Sequence, residues 1–193
     1  MVFSQGQNKK VINVAGKKFT LKYENGKFQS LTNSNNDTII KGKYDFEDVT
    51  VIDFNKDGYK DVWIEYFSNA AGEGLLYLFD KNQKTFKPLL GEKYSNPEYI
   101  NANYFYSYYR AGCADSNWGS DLFKIVNLKA IKLATITGNG CGDEFDGIFI
   151  YKLLGNKKIL KQKFPIKKLN NYNDTKWGFI KSYWTKNYSK FIN

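Results

Sequence analysis

The sequence predicts a mainly β protein: an antiparallel meander, arranged as a sheet, sandwich or barrel, of about ten short strands followed by a C-terminal helix. Three observations predict this fold class. Aromatic residues make up 18% of the 193 residues, and aromatic rings favour half-buried pleated surfaces. Apolar and polar residues alternate over short segments that Gly, Asn or Asp separates. A helical period replaces this alternation only after residue 170.

The segment FTLKYENGKFQSL shows the strand pattern most directly. Phe19, Leu21 and Tyr23 alternate with polar residues, so they share one face of a predicted strand. Asn25-Gly26 follows, and this pair favours a two-residue type I′ turn because both central residues need a positive φ. We therefore predict a hairpin here. Gly155-Asn156 predicts another hairpin turn near the end of the strand series.

The C-terminal segment has a helical period instead. Its apolar residues recur at spacings that place them on one helix face, which we expect to pack against the core: Trp177, Ile180, Trp184, Tyr188 and Phe191. Asp174 precedes the first turn and is expected to be the N-cap. We predict a helix over residues 174–192 that closes one end of the sheet.

The chain is long enough to bury a core as one domain, and neither a linker nor an internal repeat is visible in its 193 residues. Residues 1–193 are therefore predicted to form a single domain, with residues 1–15 as a flexible N-terminal segment. The first ten residues lack the apolar run of a signal peptide. Either the protein is cytoplasmic, or the chain is a mature form from which a leader has been removed.

The net charge of +10 comes almost entirely from lysine, since Arg110 is the only arginine. Proteins that read nucleic acids favour Arg, whose planar fork pairs with phosphates and guanine edges. We therefore expect no nucleic-acid partner. A solvated basic surface is the first interpretation of the scattered lysines. The alternative is a patch for an acidic partner or association with an anionic membrane surface.

The composition also excludes several kinds of catalytic site. The chain contains no histidine, which removes Ser-His and Cys-His nucleophile pairs and His-ligated zinc. The two cysteines, Cys113 and Cys141, are too few for a four-cysteine zinc site and are not spaced as a Cys-x-x-Cys redox pair. A structural disulfide is favoured, and two buried free thiols are the alternative. A disulfide would place the protein in an oxidising compartment.

Residues 53–61, DFNKDGYKD, carry the chemistry of the sequence. The candidate oxygen ligands stand at alternating positions, one of them a main-chain carbonyl: Asp53, Asn55, Asp57, the carbonyl of Tyr59, and Asp61. Calcium takes six to eight oxygen ligands, and bidentate carboxylates or water can complete such a set. Gly58 permits the positive φ that a tightly wound loop needs. Three crowded carboxylates repel one another unless a cation lies between them.

The flanking sequence separates this loop from an EF-hand. An EF-hand has Glu at position twelve, whereas this chain has Ile64 there, inside a predicted strand. We therefore predict a calcium loop between two strands. A metal-free Asx turn is the main alternative, and a magnesium or catalytic metal site is a further one.

The stretch VTVIDFNKDGYKDVWIEY resembles the Asp-x-Asn-x-Asp-Gly-x-x-Asp loops of FG-GAP and VCBS-type β proteins, in which calcium holds the loop. Together with YLFDKNQKTFKPL and YSYYRAG, it resembles a family of small exported bacterial proteins over residues 45–135. Some members of that family are periplasmic inhibitors that protect the producing cell from lysozyme-like effectors. The loop occurs once, which argues against a multi-bladed propeller. With a charge of +10, such an inhibitor would need an acidic partner.

A second acidic cluster lies in TGNGCGDEFDG, beside Cys141. Asp143, Glu144 and Asp146 are interpreted as an acidic surface turn. A weak second cation site and a carboxylate acid/base pair are the alternatives. The other cysteine lies in RAGCADSNWGSD, so a disulfide would bring the two glycine-containing loops together at one end of the sheet. An ordinary loop with a buried Trp118 is the favoured interpretation, and the alternative is an exposed Trp118 that would make this rim a contact surface.

These observations predict a non-enzymatic, calcium-stabilised exported protein, periplasmic or extracellular, that binds another protein such as a peptidoglycan hydrolase. The alternative is a carbohydrate-binding or surface module, in which Trp118, Trp63 and the rings of Tyr104–Tyr109 stack on sugars. We expect no enzymatic activity, because an enzyme without histidine would need paired carboxylates or a metal-activated water. Calcium enclosed by oxygen ligands is a poor Lewis acid for that purpose.

Overall fold

The computed structural model describes residues 7–43, 47–66, 72–91, 94–142 and 146–192. Strands account for 57% of the described residues and helices for 15%, which confirms the mainly β prediction and the C-terminal helix. The chain divides into two compact units, Met1–Leu89 and Leu90–Asn193. Between the described strands every ladder is antiparallel, and an isolated bridge between Leu90 and Lys129 is parallel. Among the described residues, no helix is both long and apolar enough to cross a lipid bilayer.

The first unit contains two four-stranded meanders. The first meander has the order β1-β2-β3-β4 and the second the order β5-β6-β7-β8. Their strands are β1 (Gln7–Val14), β2 (Lys17–Glu24), β3 (Lys27–Thr32), β4 (Thr38–Lys41), β5 (Glu47–Ile52), β6 (Asp61–Tyr66), β7 (Gly74–Asp80) and β8 (Thr85–Pro88).

The predicted hairpin at Asn25-Gly26 is present between β2 and β3. Asn25 has φ 50° and Gly26 has φ 78°, so both central residues adopt the left-handed conformation that this turn requires. Strand β1 occupies Gln7–Val14, within the segment that was expected to be flexible, and pairs along its whole length with β2. The prediction missed this strand because QNKKVINV begins with four polar residues.

One hydrophobic core serves both meanders of the first unit. Phe19 of β2 is buried, and its ring meets those of Phe79 and Phe86 edge to face at centroid distances of 6.2 and 4.9 Å. The buried residues of the core come from both sheets: Val14, Phe19, Leu21, Phe28, Leu31, Ile40, Val62, Ile64, Phe79 and Phe86. The predicted face of β2 is confirmed for Phe19 and Leu21, while Tyr23 is only half-buried at its margin.

The second unit is built on one seven-stranded sheet with the order β15-β14-β13-β12-β10-β9, in which β11 also pairs with β12. Its strands are β9 (Glu98–Asn101), β10 (Tyr104–Tyr106), β11 (Tyr109–Gly112), β12 (Asn117–Val126), β13 (Lys129–Asn139), β14 (Gly147–Leu154) and β15 (Lys157–Phe164). Helix α1 (Thr175–Asn187) packs its buried side chains into the same hydrophobic core as Ile136, Ile148 and Ile150 of this sheet.

The face of α1 that packs on the sheet differs from the predicted one. Ile180 and Trp184 are buried as expected, but Phe179 and Tyr183 share that core, and Trp177 is 39% exposed. The helix ends at Asn187, and the last apolar residues belong to a 3-10 turn, Tyr188–Phe191. Phe191 is nevertheless buried in the same core and Tyr188 packs against it, as predicted, so Trp177 is the predicted core residue that the structure corrects. Asp174 is at the N-cap position, but its side chain makes no capping hydrogen bond.

Candidate metal loop and binding surfaces

The loop that was predicted to bind calcium connects β5 to β6. Asp53 lies at its start, and the two oxygens of its carboxylate accept hydrogen bonds from the backbone N–H groups of Asp57 and Gly58, both at 3.1 Å. Gly58 has φ 92°, a conformation that side chains with a Cβ rarely adopt. Because both oxygens of the Asp53 carboxylate accept these backbone N–H groups, the carboxylate faces the interior of the turn.

Asn55 and Asp57 turn towards the same stretch of backbone. The side-chain oxygen of Asn55 lies 3.2 Å from the Asp57 nitrogen, which Asp53 also contacts. Asp57 accepts a hydrogen bond from the Tyr59 N–H at 2.9 Å and another from the Asn55 side-chain amide at 3.1 Å. Side-chain oxygens of Asp53 and Asn55 thus come together around one N–H group.

Asp61 ties this loop to the neighbouring strand. Its carboxylate is fully buried and accepts hydrogen bonds from the backbone N–H groups of Phe54 at 2.9 Å and Phe79 at 2.8 Å. Burial raises the pKa of Asp61 to about 6, although the two N–H donors oppose this shift. The ring of Tyr59 packs 5.5 Å from that of Phe79. One side chain therefore joins the loop, β6 and β7.

The five predicted ligands supply oxygen donors of the kind that calcium prefers, so their chemistry fits this ion. The structure brings Asp53, Asn55 and Asp57 together and places Asp61 at the base of the loop, with both of its oxygens on backbone N–H groups. In the described part of the chain, no three acidic or cysteine side chains form a group that could hold a metal. Calcium binding stays a prediction.

Cys113 and Cys141 form a disulfide, with their Cα atoms 6.3 Å apart. This bond resolves the alternative of two free thiols and joins the loop before β12 to the loop after β13, as expected. Asp146 accepts a hydrogen bond from the Gly142 N–H at 3.0 Å. Asp143 and Glu144 lie outside the described residues, so neither the predicted acidic surface turn nor the alternative second cation site is tested.

The disulfide lies beside an unusual left-handed turn. Cys113, Ala114 and Asp115 have φ values of 54°, 47° and 73°, which is a strained conformation for residues other than glycine. Lys176 of α1 donates a hydrogen bond to the Asp115 carbonyl at 2.9 Å and another to its carboxylate. The hydroxyl of Tyr108 donates to the same carboxylate. The turn is thus held by a covalent bond and by a small polar network.

This network changes the acidity of its members. Burial favours the neutral form of Asp115, but hydrogen bonds from Lys176 and Tyr108 prevail and hold the pKa of Asp115 below its ordinary value. Burial, together with the hydrogen bond to Asp115 and the charge of that carboxylate, raises the pKa of the Tyr108 hydroxyl. The network is therefore complete when Asp115 is ionised and Tyr108 is neutral.

Trp118 is buried, as the favoured interpretation of its loop expects, and it is not the exposed ring that the contact-surface alternative requires. This side chain is only 1% exposed and lies 6.4 Å, between ring centroids, from Phe179 of α1. A Cβ added at Gly138 would come within 2.1 Å of its ring, so the tryptophan fills space that only glycine leaves open. Trp63 is half-buried and stacks on Phe54. Neither tryptophan is fully available to a sugar ring.

Trp177, which sequence reasoning placed in the core, instead lines an open cleft of about 640 Å³ in the second unit. Its ring lies 3.8 Å from that of Tyr108. The cleft combines aromatic rings with polar and charged groups, and its lining comprises Asn96, Glu98, Tyr106, Tyr108, Asp174, Trp177, Gly178 and Lys181. Burial and the nearby Glu98 raise the pKa of Tyr106 to about 12. No sequence signal could have found the cleft, because its lining comes from separate segments.

No family model matches the chain, and no curated protein matches it. A solved structure described as "Structure of a Xanthomonas Type IV Secretion System related protein" is similar to it at 16% identity. The match covers 82% of this chain and 86% of the other, with a TM-score of 0.48. The fold, the disulfide and the loop define the class of this protein: it is mainly β, disulfide-bonded and carries a carboxylate-rich hairpin loop. The disulfide fits an exported protein.

Proposed function

We propose that this chain is a non-enzymatic, calcium-stabilised exported protein that binds another protein and inhibits it, with a cell-wall hydrolase as the partner. The observation that carries the proposal is the position of Asp61, which joins the candidate calcium loop to β6 and β7. A cation held by this loop would stiffen the strand framework. Asp53, Asn55, Asp57, Asp61 and the carbonyl of Tyr59 would hold it.

The same loop supports a role in stability over a role in catalysis. Both oxygens of Asp53 and of Asp61 accept backbone N–H groups of the protein itself. A calcium ion bound in this loop would compensate the negative charges of its carboxylates. If the protein were an enzyme that used this loop, Asp53→Ala would abolish turnover without loss of folding. We expect no turnover to lose.

The disulfide supports the export part of the proposal, since such bonds persist in oxidising compartments. Periplasmic and extracellular locations both satisfy this condition. Detection of the Cys113–Cys141 bond in protein recovered from the periplasmic fraction or from the culture medium would distinguish these locations. Recovery only from the cytoplasm in reduced form would contradict export.

The inhibitor proposal is tested by mixing the disulfide-bonded protein, in calcium, with a panel of peptidoglycan hydrolases. The panel should pair acidic with basic enzymes, because a chain of charge +10 associates faster with an acidic partner. We expect a stable complex and loss of hydrolysis for an acidic member. The basic members serve as matched controls, and the absence of both complex and inhibition across the panel would contradict the inhibitor role.

A second candidate function is glycan binding, and the cleft at Trp177 favours it. An exposed aromatic ring beside carboxylates and an amine provides both a stacking surface and hydrogen-bonding groups for sugar hydroxyls. Trp177→Ala should remove binding in a glycan array. Tyr99→Ala changes an exposed ring outside the cleft and should leave that binding intact. An array without signals above background would exclude this function.

A further inference from the structure

A basic surface runs along β14, β15 and the following 3-10 turn. The 27 residues 147–173 contain seven of the 29 basic side chains of the protein and none of its 19 acidic ones. These lysines are Lys152, Lys157, Lys158, Lys161, Lys163, Lys167 and Lys168. Sequence reasoning treated them as scattered, because they occur as pairs and single residues. We call the part formed by β14 and β15 the basic hairpin.

The basic hairpin is open to solvent at the edge of its sheet. Strand β15 is the last strand of the seven-stranded sheet and pairs with β14, and all its side chains from Lys157 to Lys163 are exposed. No ion pair joins any of the seven lysines to a described acidic residue. Their charge is therefore uncompensated within the part of the chain that the structure describes.

Apolar side chains interrupt the lysines at the tip of the hairpin. Leu154, Ile159 and Leu160 are 49%, 36% and 51% exposed. Leu154 directly precedes the turn at Gly155-Asn156, whereas Ile159 and Leu160 follow Lys157 and Lys158 and pair with Lys152 and Tyr151. Three large aliphatic groups on a two-stranded tip are costly to leave in water. These three side chains lie between Lys152 and Lys161 in the sequence, so the end of the hairpin carries exposed apolar groups together with lysines.

Two lysines of the basic hairpin place their ammonium groups over aromatic rings of β14. The ammonium of Lys158 lies 4.2 Å from the centroid of the Tyr151 ring, and that of Lys163 lies 5.1 Å from the centroid of the Phe149 ring. Because Phe149 is paired directly with Lys163 across the two strands, ring and ammonium share one sheet face. These contacts hold the charges close to the sheet surface.

We propose that the basic hairpin binds the surface of an anionic lipid bilayer. Lysines near such a surface gain attraction without directional pairing, and exposed aliphatic groups among them enter the interface. A nucleic acid or a pattern of carboxylates is better recognised by the forked side chain of arginine, and residues 147–173 contain none. This inference is independent of the proposed inhibitor function, which concerns a protein partner.

A competing explanation is that the lysines only protect an exposed sheet edge from pairing with another chain. Charge reversal separates the two explanations. A variant with Lys157→Glu, Lys158→Glu and Lys161→Glu keeps the edge charged, and so keeps edge protection, but it repels an anionic surface. The matched control reverses three exposed lysines of the first meander, Lys9→Glu, Lys10→Glu and Lys17→Glu, and so makes the same change in net charge.

The experiment measures sedimentation of the intact, disulfide-bonded protein with vesicles of phosphatidylglycerol and phosphatidylethanolamine, and with vesicles of phosphatidylcholine alone. We expect binding to the anionic vesicles only, and weaker binding as salt increases. The hairpin variant should lose at least roughly a hundredfold in affinity, from the usual contribution of each lysine at such a surface. The control variant should retain most of its binding. Circular dichroism and melting curves verify that both variants fold.

A second variant tests the apolar tip. Leu154→Ser with Leu160→Ser should weaken the binding that survives at high salt, since that part depends on burial of aliphatic groups. The proposal is overturned if the wild-type protein ignores anionic vesicles, if the hairpin variant binds as well as the wild type, or if the control variant loses as much. Binding to polyglutamate or DNA without binding to vesicles would overturn it as well.

Discussion

Single residues connect distant parts of the chain in each unit, and Asp61 is the clearest example. Its buried carboxylate accepts hydrogen bonds from the N–H groups of a loop residue and of a residue in β7, so one side chain connects β6 to both the loop and β7. Asp57, by contrast, is exposed and makes only contacts within the loop. The two aspartates of one predicted ligand set therefore contribute differently to the fold.

Removal of calcium is predicted to lower the melting temperature. At free calcium about a thousand times the dissociation constant, binding would stabilise the folded state by roughly 4 kcal/mol. Asp57→Ala should abolish the difference between melting curves recorded in calcium and in chelator. Asp80→Ala is the matched control, because Asp80 also accepts backbone N–H groups in a strand-connecting turn, from Asn82 and Gln83. An equal melting temperature of the wild type in calcium and in chelator would contradict the metal assignment.

Asp115 predicts a dependence of stability on pH. Its pKa is lowered in the folded state, so its contribution is present above the unfolded pKa of about 4 and is lost as the pH falls through the lower folded value. Relative to Asp115→Asn, the wild type should be more stable by about 1 kcal/mol near pH 6. This difference should shrink below pH 4 in urea-unfolding experiments.

Lys176→Met provides the control for this pH effect, because it removes the ammonium that donates to Asp115. In the Lys176→Met background, Asp115→Asn should have a smaller effect at pH 6 and a weaker dependence on pH. An equal pH dependence in both backgrounds would show that the Asp115–Lys176 contact does not cause it.

At the scale of elements, α1 separates two kinds of aromatic residue. Trp184 is fully buried, and its indole N–H donates to the hydroxyl of Ser120 in β12 at 2.8 Å. Trp177, two turns earlier on the same helix, faces the cleft and is partly exposed. The same residue type therefore anchors the helix at one position and offers a contact surface at the other.

This contrast predicts that two tryptophan substitutions lower the stability by different amounts. Trp184→Ala should lower the free energy of unfolding by about 3–5 kcal/mol, because it opens a cavity and leaves Ser120 without its indole partner. Trp177→Ala should lower it by less than about 1.5 kcal/mol and should affect ligand binding instead. Denaturant unfolding of both variants measures the difference, and equal losses of stability would contradict the assignment of Trp177 to the cleft.

At the scale of the whole molecule, the two candidate sources of stabilisation lie in different units. The predicted calcium loop belongs to Met1–Leu89, and the disulfide to Leu90–Asn193. The disulfide closes a segment with a sequence separation of 28, and its contribution by chain entropy is roughly 3 to 4 kcal/mol. Because each source of stabilisation lies in its own unit, removing them one at a time tests the prediction that the chain is a single domain.

Hydrogen exchange should show where each constraint acts. Chelation of calcium is expected to speed exchange mainly in β5–β8, and replacement of both cysteines by serine mainly in the strands of the second unit, because each constraint contacts its own unit. Peptide-level mass spectrometry measures both. If each treatment instead speeds exchange equally across the entire chain, the chain unfolds as one cooperative domain.

Local rules determined much of this structure directly from sequence. The strand and turn pattern around Asn25-Gly26, the loop of alternating oxygen donors at residues 53–61 and the C-terminal helix all depend on neighbours a few residues apart. The polar strand β1 was missed, because its pairing with β2, and not its own composition, stabilises it.

The sequence by itself determined the mainly β class, the residues of the candidate loop and the absence of histidine chemistry, since each is a matter of composition or short-range spacing. Only the tertiary structure decided that Trp118 is buried while Trp177 is exposed, that Asp61 reaches β7, and that Asp115 meets Lys176. The physical reason is common to all three. Burial and long-range hydrogen bonds depend on which segments pack together, and no local period contains that information.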